Sequence, residues 1–409
     1  MNGHMWSGLE SVRIRRFRSL GDADFYPGSL SALVGESGAG KSNLLAAVRL
    51  LLDPNVPPSP ADSPLGADGV IRVQGLLAGG GSLSVEADPS SGQVNREGLG
   101  APVLFLPARL RDGRIVDGSV PGAGPAHEVA AFLRRGMEEL THPQSDARDK
   151  SDAASSLALV KGIESCCAAD LAGIILLIEE PELYLRPHAQ RYLYRLLHRF
   201  TATGNQVMYS THSPAFLNVA RLEELTLVER TSNGMTRVVQ PEPLPADDEL
   251  RALGEFDAER SELLLSQTAV LVEGRTEKLV LPFVFQALGY DIDREAISVV
   301  DCRGKSNIPL FARVCQAVGI PSVAIHDRDA PPSQEPILAE KLLNSRIRAT
   351  VGQELTIELV PDFEGVAGLH GQAHKPARAW QHFKALSPSD VPQALARIVE
   401  LALSVAANR

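Results

Sequence analysis

The stretch Gly35-Glu36-Ser37-Gly38-Ala39-Gly40-Lys41-Ser42 decides how the remainder of the 409 residues is read. A short apolar run of strand type, 29 to 34, leads into it, and Asn43 to Leu52 has the apolar spacing of a helix. The spacing G-x-x-x-x-G-K-S offers successive backbone N–H groups to phosphates, a lysine to the β and γ phosphates and a hydroxyl to magnesium. A strand before and a helix after are the context that chemistry requires. The pattern therefore predicts ATP and Mg²⁺ on Gly35, Glu36, Ser37, Gly38, Ala39, Gly40, Lys41, Ser42 and Asn43, in a chain of the α/β class.

Upstream, residues 9 to 18 alternate between apolar and basic, as a half-buried strand does. Downstream, Asp53 to Asp68 is rich in Pro, Ser and Asp and reads as a loop. Short strands near 70–77, 82–87 and 103–106 suggest an antiparallel β subdomain. Helices are expected over 126–140 and 153–169, with a polar, mobile segment from Thr141 to Asp152 between them.

Next, Leu176-Leu177-Ile178-Glu179-Glu180 reads as a buried strand whose end presents two carboxylates. Glu179 suits the magnesium shell and Glu180 suits orienting or deprotonating the attacking water, the division of labour phosphoryl transfer needs. A helix over 187–202 and a strand over 206–210 lead to Ser210-Thr211-His212-Ser213-Pro214. There His212 is placed to contact the γ phosphate or the water.

GESGAGKSN, LLIEEPELYLRP and STHSP together resemble the ATPase heads of the ABC class, and above all the RecF, SMC and OLD group. The likeness covers about residues 9 to 230. It implies ATP sandwiched between two heads, the second lending a signature serine, for which Ser155 or Ser156 is the candidate. The usual Ser-Gly-Gly is absent there, and Glu179 stands where most of the class has aspartate, a substitution the OLD group shares.

From Ala269 the pattern becomes strand (269–273), helix (276–288), strand (297–301), helix (306–318), strand (322–326), a parallel α/β unit. Glu273 and the Asp327-x-Asp329 pair fall at carboxyl ends of strands, where open sheets build their sites, and Glu277 lies one helical turn beyond Glu273. Hard carboxylate oxygens gathered there suit Mg²⁺ or Mn²⁺ and a phosphodiester. The alternative is that these acids are only helix caps and surface charge. VEGRTEK, DCRGKSNIP and HDRDA resemble the Toprim domain of primases, topoisomerases and OLD nucleases over about 267 to 375. That resemblance implies that Glu364 joins a second metal and that Lys375 stabilises transition-state charge.

The head and the Toprim unit in one chain, in this order, resemble the OLD family. The expected organisation is an ABC-type ATPase domain over 1–265, with a dimerisation or linker segment near 110–155, and a Toprim nuclease domain with a C-terminal helical extension over 266–409. The resemblance implies an ATP-binding and hydrolysing, metal-dependent DNA endonuclease in repair or phage defence. It also implies DNA as partner, a homodimer or higher homo-oligomer, and a partner helicase not readable from sequence. The alternative is a RecF/SMC-like DNA-binding ATPase whose Toprim domain is inactive and serves as sensor or scaffold.

Bulk properties agree with a folded chain: 44% of residues are hydrophobic and 22% charged. With no apolar run of the roughly 18 to 20 residues a bilayer demands, a cytoplasmic protein without a membrane partner is expected. Cys166, Cys167, Cys302 and Cys315 lack the spacing of a zinc or redox motif. The net charge of −10 decides nothing about nucleic acid, because phosphate contacts depend on local clusters.

Overall fold

The alternation over residues 9 to 18 becomes strand β1 (Leu9–Phe17), whose Leu9, Val12, Ile14 and Phe17 turn inward. It pairs as a hairpin with β2 (Leu20–Phe25). In the computed structural model, residues 8–64, 69–98, 103–106, 116–117, 149–183, 185–369 and 375–407 are described. They fall into two units, Met1–Leu217 with Glu223–Pro241 and Asn218–Leu222 with Glu242–Arg409.

In the first unit, β3 (Leu30–Val34) is buried along its whole length and hands over through the glycine loop to α1 (Lys41–Leu52). The strands β4 (Ile71–Leu77), β5 (Ser82–Asp88) and β6 (Gln93–Glu97) join the hairpin in a five-stranded antiparallel sheet of order β2-β1-β4-β5-β6. Ile71, Val73, Leu83 and Val85 form one buried cluster with Leu44, Val48 and Leu51 of α1, each such side chain contributing roughly 1.5–3 kcal/mol. The loop's helix is thereby seated on a sheet.

A second sheet comprises β7 (Val103–Leu106), β8 (Val116–Asp117), β9 (Ile175–Glu179), β10 (Gln206–Ser210), β11 (Leu225–Arg230), β12 (Thr236–Val239) and β3. Its order is β12-β11-β3-β10-β9-β7-β8, parallel throughout except at the two edge strands. The helices α2 (Asp149–Ala168) and α3 (Pro187–Ala202) belong to this unit. One expectation is corrected: residues 103–106 do not join the antiparallel subdomain but pair in parallel with β9. Four apolar residues carry no information about their partner, and burial on both sides of the parallel sheet claims them. Buried Gln206 ties the two sheets together, its amide bonding both the N–H and the C=O of Leu9 at 2.8 and 2.9 Å. The helix expected over 126–140 and the segment Thr141 to Asp152, up to residue 148, lie outside the described residues.

The second unit opens with α4 (Ala246–Glu255) and α5 (Ala258–Ser261), then alternates β13 (Thr268–Val272), α6 (Arg275–Ala287), β14 (Ile297–Asp301), α7 (Ile308–Ala317), β15 (Ser322–Asp327), α8 (Leu338–Val351) and β16 (Thr356–Leu359). The short α9 (Phe363–Val366), α10 (Lys375–Phe383) and α11 (Gln393–Ala407) follow. All four strands are parallel, in the order β14-β13-β15-β16. The chain leaves β13 to one side and returns on the other, so the strand order reverses between β13 and β15. Open α/β sheets bind their ligands outside the carboxyl ends at such a reversal. Leu395, Ile398 and Val399 of α11 cover the sheet beside Val270, Val272 and Ile325.

Candidate functional sites in the two units

In the first unit the glycine loop has a backbone only glycine tolerates. Gly35, Gly38 and Gly40 have φ of 154°, 79° and 113°. A Cβ at Gly35 would lie 1.9 Å from the carbonyl oxygen of Val228, and one at Gly40 would lie 2.1 Å from Oγ1 of Thr236. Thr236 donates to the carbonyl of Ala39 at 2.7 Å, so the loop is pressed against β12. Asn43 donates to Ser19 at 2.7 Å and accepts from Arg18, which also bonds Asp62. Ser37 and Ser42 are exposed at the mouth.

Lys41 is only 6% exposed and folds back on its own loop, donating from Nζ to the carbonyls of Gly35 and Glu36 at 2.7 and 2.8 Å. Those oxygens stand in for phosphate oxygens. Burial lowers its pKa, against the pull of Glu180, Glu182 and Glu36. The two strand ends that face it are in register, Ser210 opposite Glu179. Glu179 ends β9, within electrostatic reach of Arg49. Glu180 follows with φ of 48°, a left-handed conformation that costs roughly 1–2 kcal/mol for such a residue. Its N–H donates to the carbonyl of Ser210 at 3.0 Å. That kink brings Glu180 Oε1 to 3.9 Å from Nε2 of His212. Burial and the Lys41 charge lower the pKa of His212, so the ring is neutral near pH 7 and serves as a hydrogen-bonding group.

Sequence reasoning passed over Glu182. Its Oε1 accepts from the backbone N–H of His212 at 2.6 Å, its Oε2 is buried without a hydrogen-bond partner, and burial raises its pKa. The run Glu179 to Glu182 could have signalled it, but the contact with His212 spans 30 residues. Ser155 lies in α2, and its side chain falls outside the described residues, as does that of Ser156. The N-terminal basic cluster is partly engaged internally, Arg15 pairing with Asp22 and Asp24 and Arg18 with Asp62.

In the second unit Glu273 and Asp327 meet at the adjacent ends of β13 and β15. Glu273 Oε1 accepts from the N–H of Asp327 at 2.7 Å, and Asp327 Oδ1 accepts from the N–H of Phe363 at 2.8 Å. Burial pushes Glu273 up to about 7, with the negative charges of Asp329 and Glu277 adding to it. Burial pushes Asp327 up to about 8, with Glu273 and Glu277 adding most of the remainder. Glu277, in the first turn of α6, is also raised by burial, with the charge of Glu364 adding to it. Glu364 bears on Glu277 electrostatically, whereas Asp362 caps α9 through the N–H of Gly365. Asp329 has φ of 58°, its N–H bonded to the carbonyl of Pro361 at 3.2 Å. Lys375 begins α10, and its side chain lies outside the described residues.

Among the described residues no three of these side chains converge closely enough to form a finished cation cage. The donor set nevertheless fits a hard divalent ion. Carboxylate oxygens of half-buried Glu273 and Asp327 are gathered at the carboxyl ends of adjacent strands, their pKa values raised by desolvation and by neighbouring negative charge, which a cation would relieve. One cation is already present. Lys305, on the loop after β14, donates to Asp329 Oδ2 at 2.6 Å and to Glu340 Oε2 at 3.1 Å. Nothing local in the sequence points to Glu340 as a partner of Lys305, since the two lie 35 residues apart.

A phosphate-binding loop with a paired-carboxylate strand end and a parallel unit with acids at its reversal define a nucleotide-binding ATPase domain joined to a Toprim domain. Comparison with known proteins agrees. Residues 168–217 match the AAA ATPase domain, and residues 264–329 match the Overcoming lysogenization defect protein-like TOPRIM domain. The chain is 38% identical over 244 residues to the OLD nuclease of Thermus scotoductus, covering 55% of this chain and 46% of that one. It is 30% identical over 161 residues to the Old nuclease of Escherichia phage P2, covering 38% of this chain and 28% of that one. The chain thus spans half or less of the length of these curated relatives. An SMC head domain from Thermotoga maritima is similar at 18% identity with a TM-score of 0.36, over 57% of this chain and 99% of that chain, too slight a likeness to bear on function. This chain carries an AAA ATPase domain and an OLD-like Toprim domain, and such a pair implies the use of a nucleotide and a divalent cation. Among the described residues no helix is long and apolar enough to cross a membrane.

Proposed function

We propose that this chain is an ATP-binding and hydrolysing, Mg²⁺- or Mn²⁺-dependent DNA endonuclease, in which the first unit controls a hydrolytic site in the second. One observation carries the reading: Glu273 and Asp327 sit side by side at the reversal of a parallel sheet, half-buried and joined by the hydrogen bond from the Asp327 N–H to Glu273. The relatives named as nucleases support it.

In the first site the loop from Gly35 to Ser42 takes the phosphates, with Asn43 steadying its helix. Lys41 exchanges the carbonyls of Gly35 and Glu36 for phosphate oxygens. Ser42 and Glu179 hold the magnesium, Glu180 orients and deprotonates the water, and neutral His212 bonds the γ phosphate or that water. Ser155 is proposed to reach a neighbouring head's nucleotide. In the second site Glu273, Asp327, Asp329, Glu277 and Glu364 hold metal. A bound divalent ion polarises the phosphodiester and makes water a nucleophile at neutral pH. Asp327 and Glu273 would hold such an ion as carboxylates, and Lys375 would stabilise charge on the phosphate. The cut is direct hydrolysis without a protein-linked intermediate. A homodimer or higher homo-oligomer, a cytoplasmic location and a role in repair or phage defence complete the proposal.

Supercoiled plasmid incubated with the protein and Mn²⁺ tests it. Wild type should give nicked and linear products, and Glu273→Gln should give none above background. Equal product from both would end the nuclease reading and leave a DNA-binding ATPase with a silent Toprim unit.

A further inference from the structure

Lys305 is only 7% exposed, unusual for a lysine unless it is paired. Its ammonium bridges Asp329 and Glu340, and its charge also bears on Glu273. The loop that carries it is fastened on several sides. The N–H of Gly304 donates to the carbonyl of Glu273 at 2.7 Å, and Asn307 Nδ2 donates to the carbonyl of Cys302 at 3.0 Å. Arg251 of α4 grips Asn307 Oδ1 at 2.9 Å, and Arg303, with φ of 57°, reaches Asp257 at 3.1 Å. Asp329 is pinned in its own left-handed conformation. Neither end of the Lys305–Asp329 pair is free to drift, so the pair is a built contact.

An oxygen of Asp329 that accepts a close hydrogen bond from an ammonium cannot at the same time enter the inner shell of a divalent ion without setting two positive charges against each other. Glu340 also accepts from the ammonium, at 3.1 Å, and offers it a second seat. We propose that Lys305 is an internal cation that competes with the divalent ion for Asp329, and that metal entry moves its ammonium onto Glu340. The inference rests on the metal-dependent reading above. It makes Lys305 and Glu340 positioning residues that set how readily the site fills.

The test is Mn²⁺ binding to the nucleotide-free full chain, by calorimetry or by the loss of the free-ion electron paramagnetic resonance signal. Lys305→Met should bind Mn²⁺ at least about tenfold more tightly than wild type, a factor of ten being ~1.4 kcal/mol. In an Asp329→Asn background the same substitution should bring no gain, since the contested oxygen is gone. Equal or weaker binding by Lys305→Met overturns the proposal. So does a gain that persists with Asp329→Asn, which would mark a general effect of charge. Where Lys305→Met fails to fold by circular dichroism, Glu340→Gln takes its place. It should weaken Mn²⁺ binding, and that weakening should vanish with Asp329→Asn, any other result overturning the proposal. A wild-type chain that binds no Mn²⁺ sinks the metal-dependent reading along with this one. Binding that is lost in Glu273→Gln yet indifferent to Lys305 sinks this one alone.

Discussion

Raising the pH should fill the metal site, by an amount the geometry of Glu273 and Asp327 sets. Both carboxyls are half-buried at adjacent strand ends, and desolvation there pushes them up to about 7 and about 8. At about pH 6.5 both carboxyls are largely protonated, and a divalent ion needs both ionised, so binding should release protons. At about pH 8.5 both are largely ionised already, so binding should release fewer protons, and the rise of affinity with pH flattens accordingly. Titrating Mn²⁺ calorimetrically in buffers of different ionisation enthalpy reads the proton count directly. A release near zero at the lower pH, or the same release at both, would refute the placement of these two groups as half-buried, mutually opposed metal ligands.

The same groups govern stability in the opposite sense. Their folded pKa values lie above the ordinary carboxyl range, so their contribution is full below that range and lost as pH rises through about 7 to 8. The metal-free chain should therefore melt lower at about pH 8.5 than at about pH 6, and saturating Mn²⁺ should restore the difference, as differential scanning fluorimetry would record. Lys41→Ala should weaken ATP binding by at least about a hundredfold while circular dichroism stays unchanged, since a charged lysine holds the β and γ phosphates; an unaltered Kd would count against the loop. Gly40→Ala should cost about 2 kcal/mol or more and lower the Tm, because its φ is 113° and the added methyl meets Thr236. An unchanged Tm would show that the loop adopts another backbone. Glu182→Ala should slow ATP turnover through the misplaced His212 loop, and Glu182→Gln, which keeps an acceptor for the His212 N–H, should recover most of it. Equal loss in both variants would point to the charge of Glu182 instead.

What was legible from sequence is what short-range chemistry specifies. The glycine loop, its strand and its helix are contiguous, so spacing alone defines them. The buried runs at Ile175–Glu179 and Thr268–Val272 are legible because β-branched and leucine residues in so short a stretch suit a strand covered on both faces. Glu273 and Asp327 could be placed at strand ends because each immediately follows or closes such a run. The partnerships were not legible. Val103–Leu106 chooses β9 over the antiparallel sheet for reasons that lie 72 residues away, Val103 standing opposite Ile175. Glu340 meets Lys305 only because α8 starts beside the strand end that carries Asp329, a contact spanning 35 residues. The left-handed turn at Glu180 left no mark, since glutamate does not announce a positive φ, and at Asp329 the enrichment of aspartate in that region is too weak a signal to place it.

The central claim is that nucleotide chemistry and DNA hydrolysis occupy separate sites, the second built on Glu273 and Asp327. It is tested most directly by measuring ATP turnover and plasmid cleavage side by side on wild type and Asp327→Ala. The account predicts that Asp327→Ala turns over ATP at close to the wild-type rate and leaves the plasmid supercoiled. Cleavage by Asp327→Ala equal to that of wild type would contradict it.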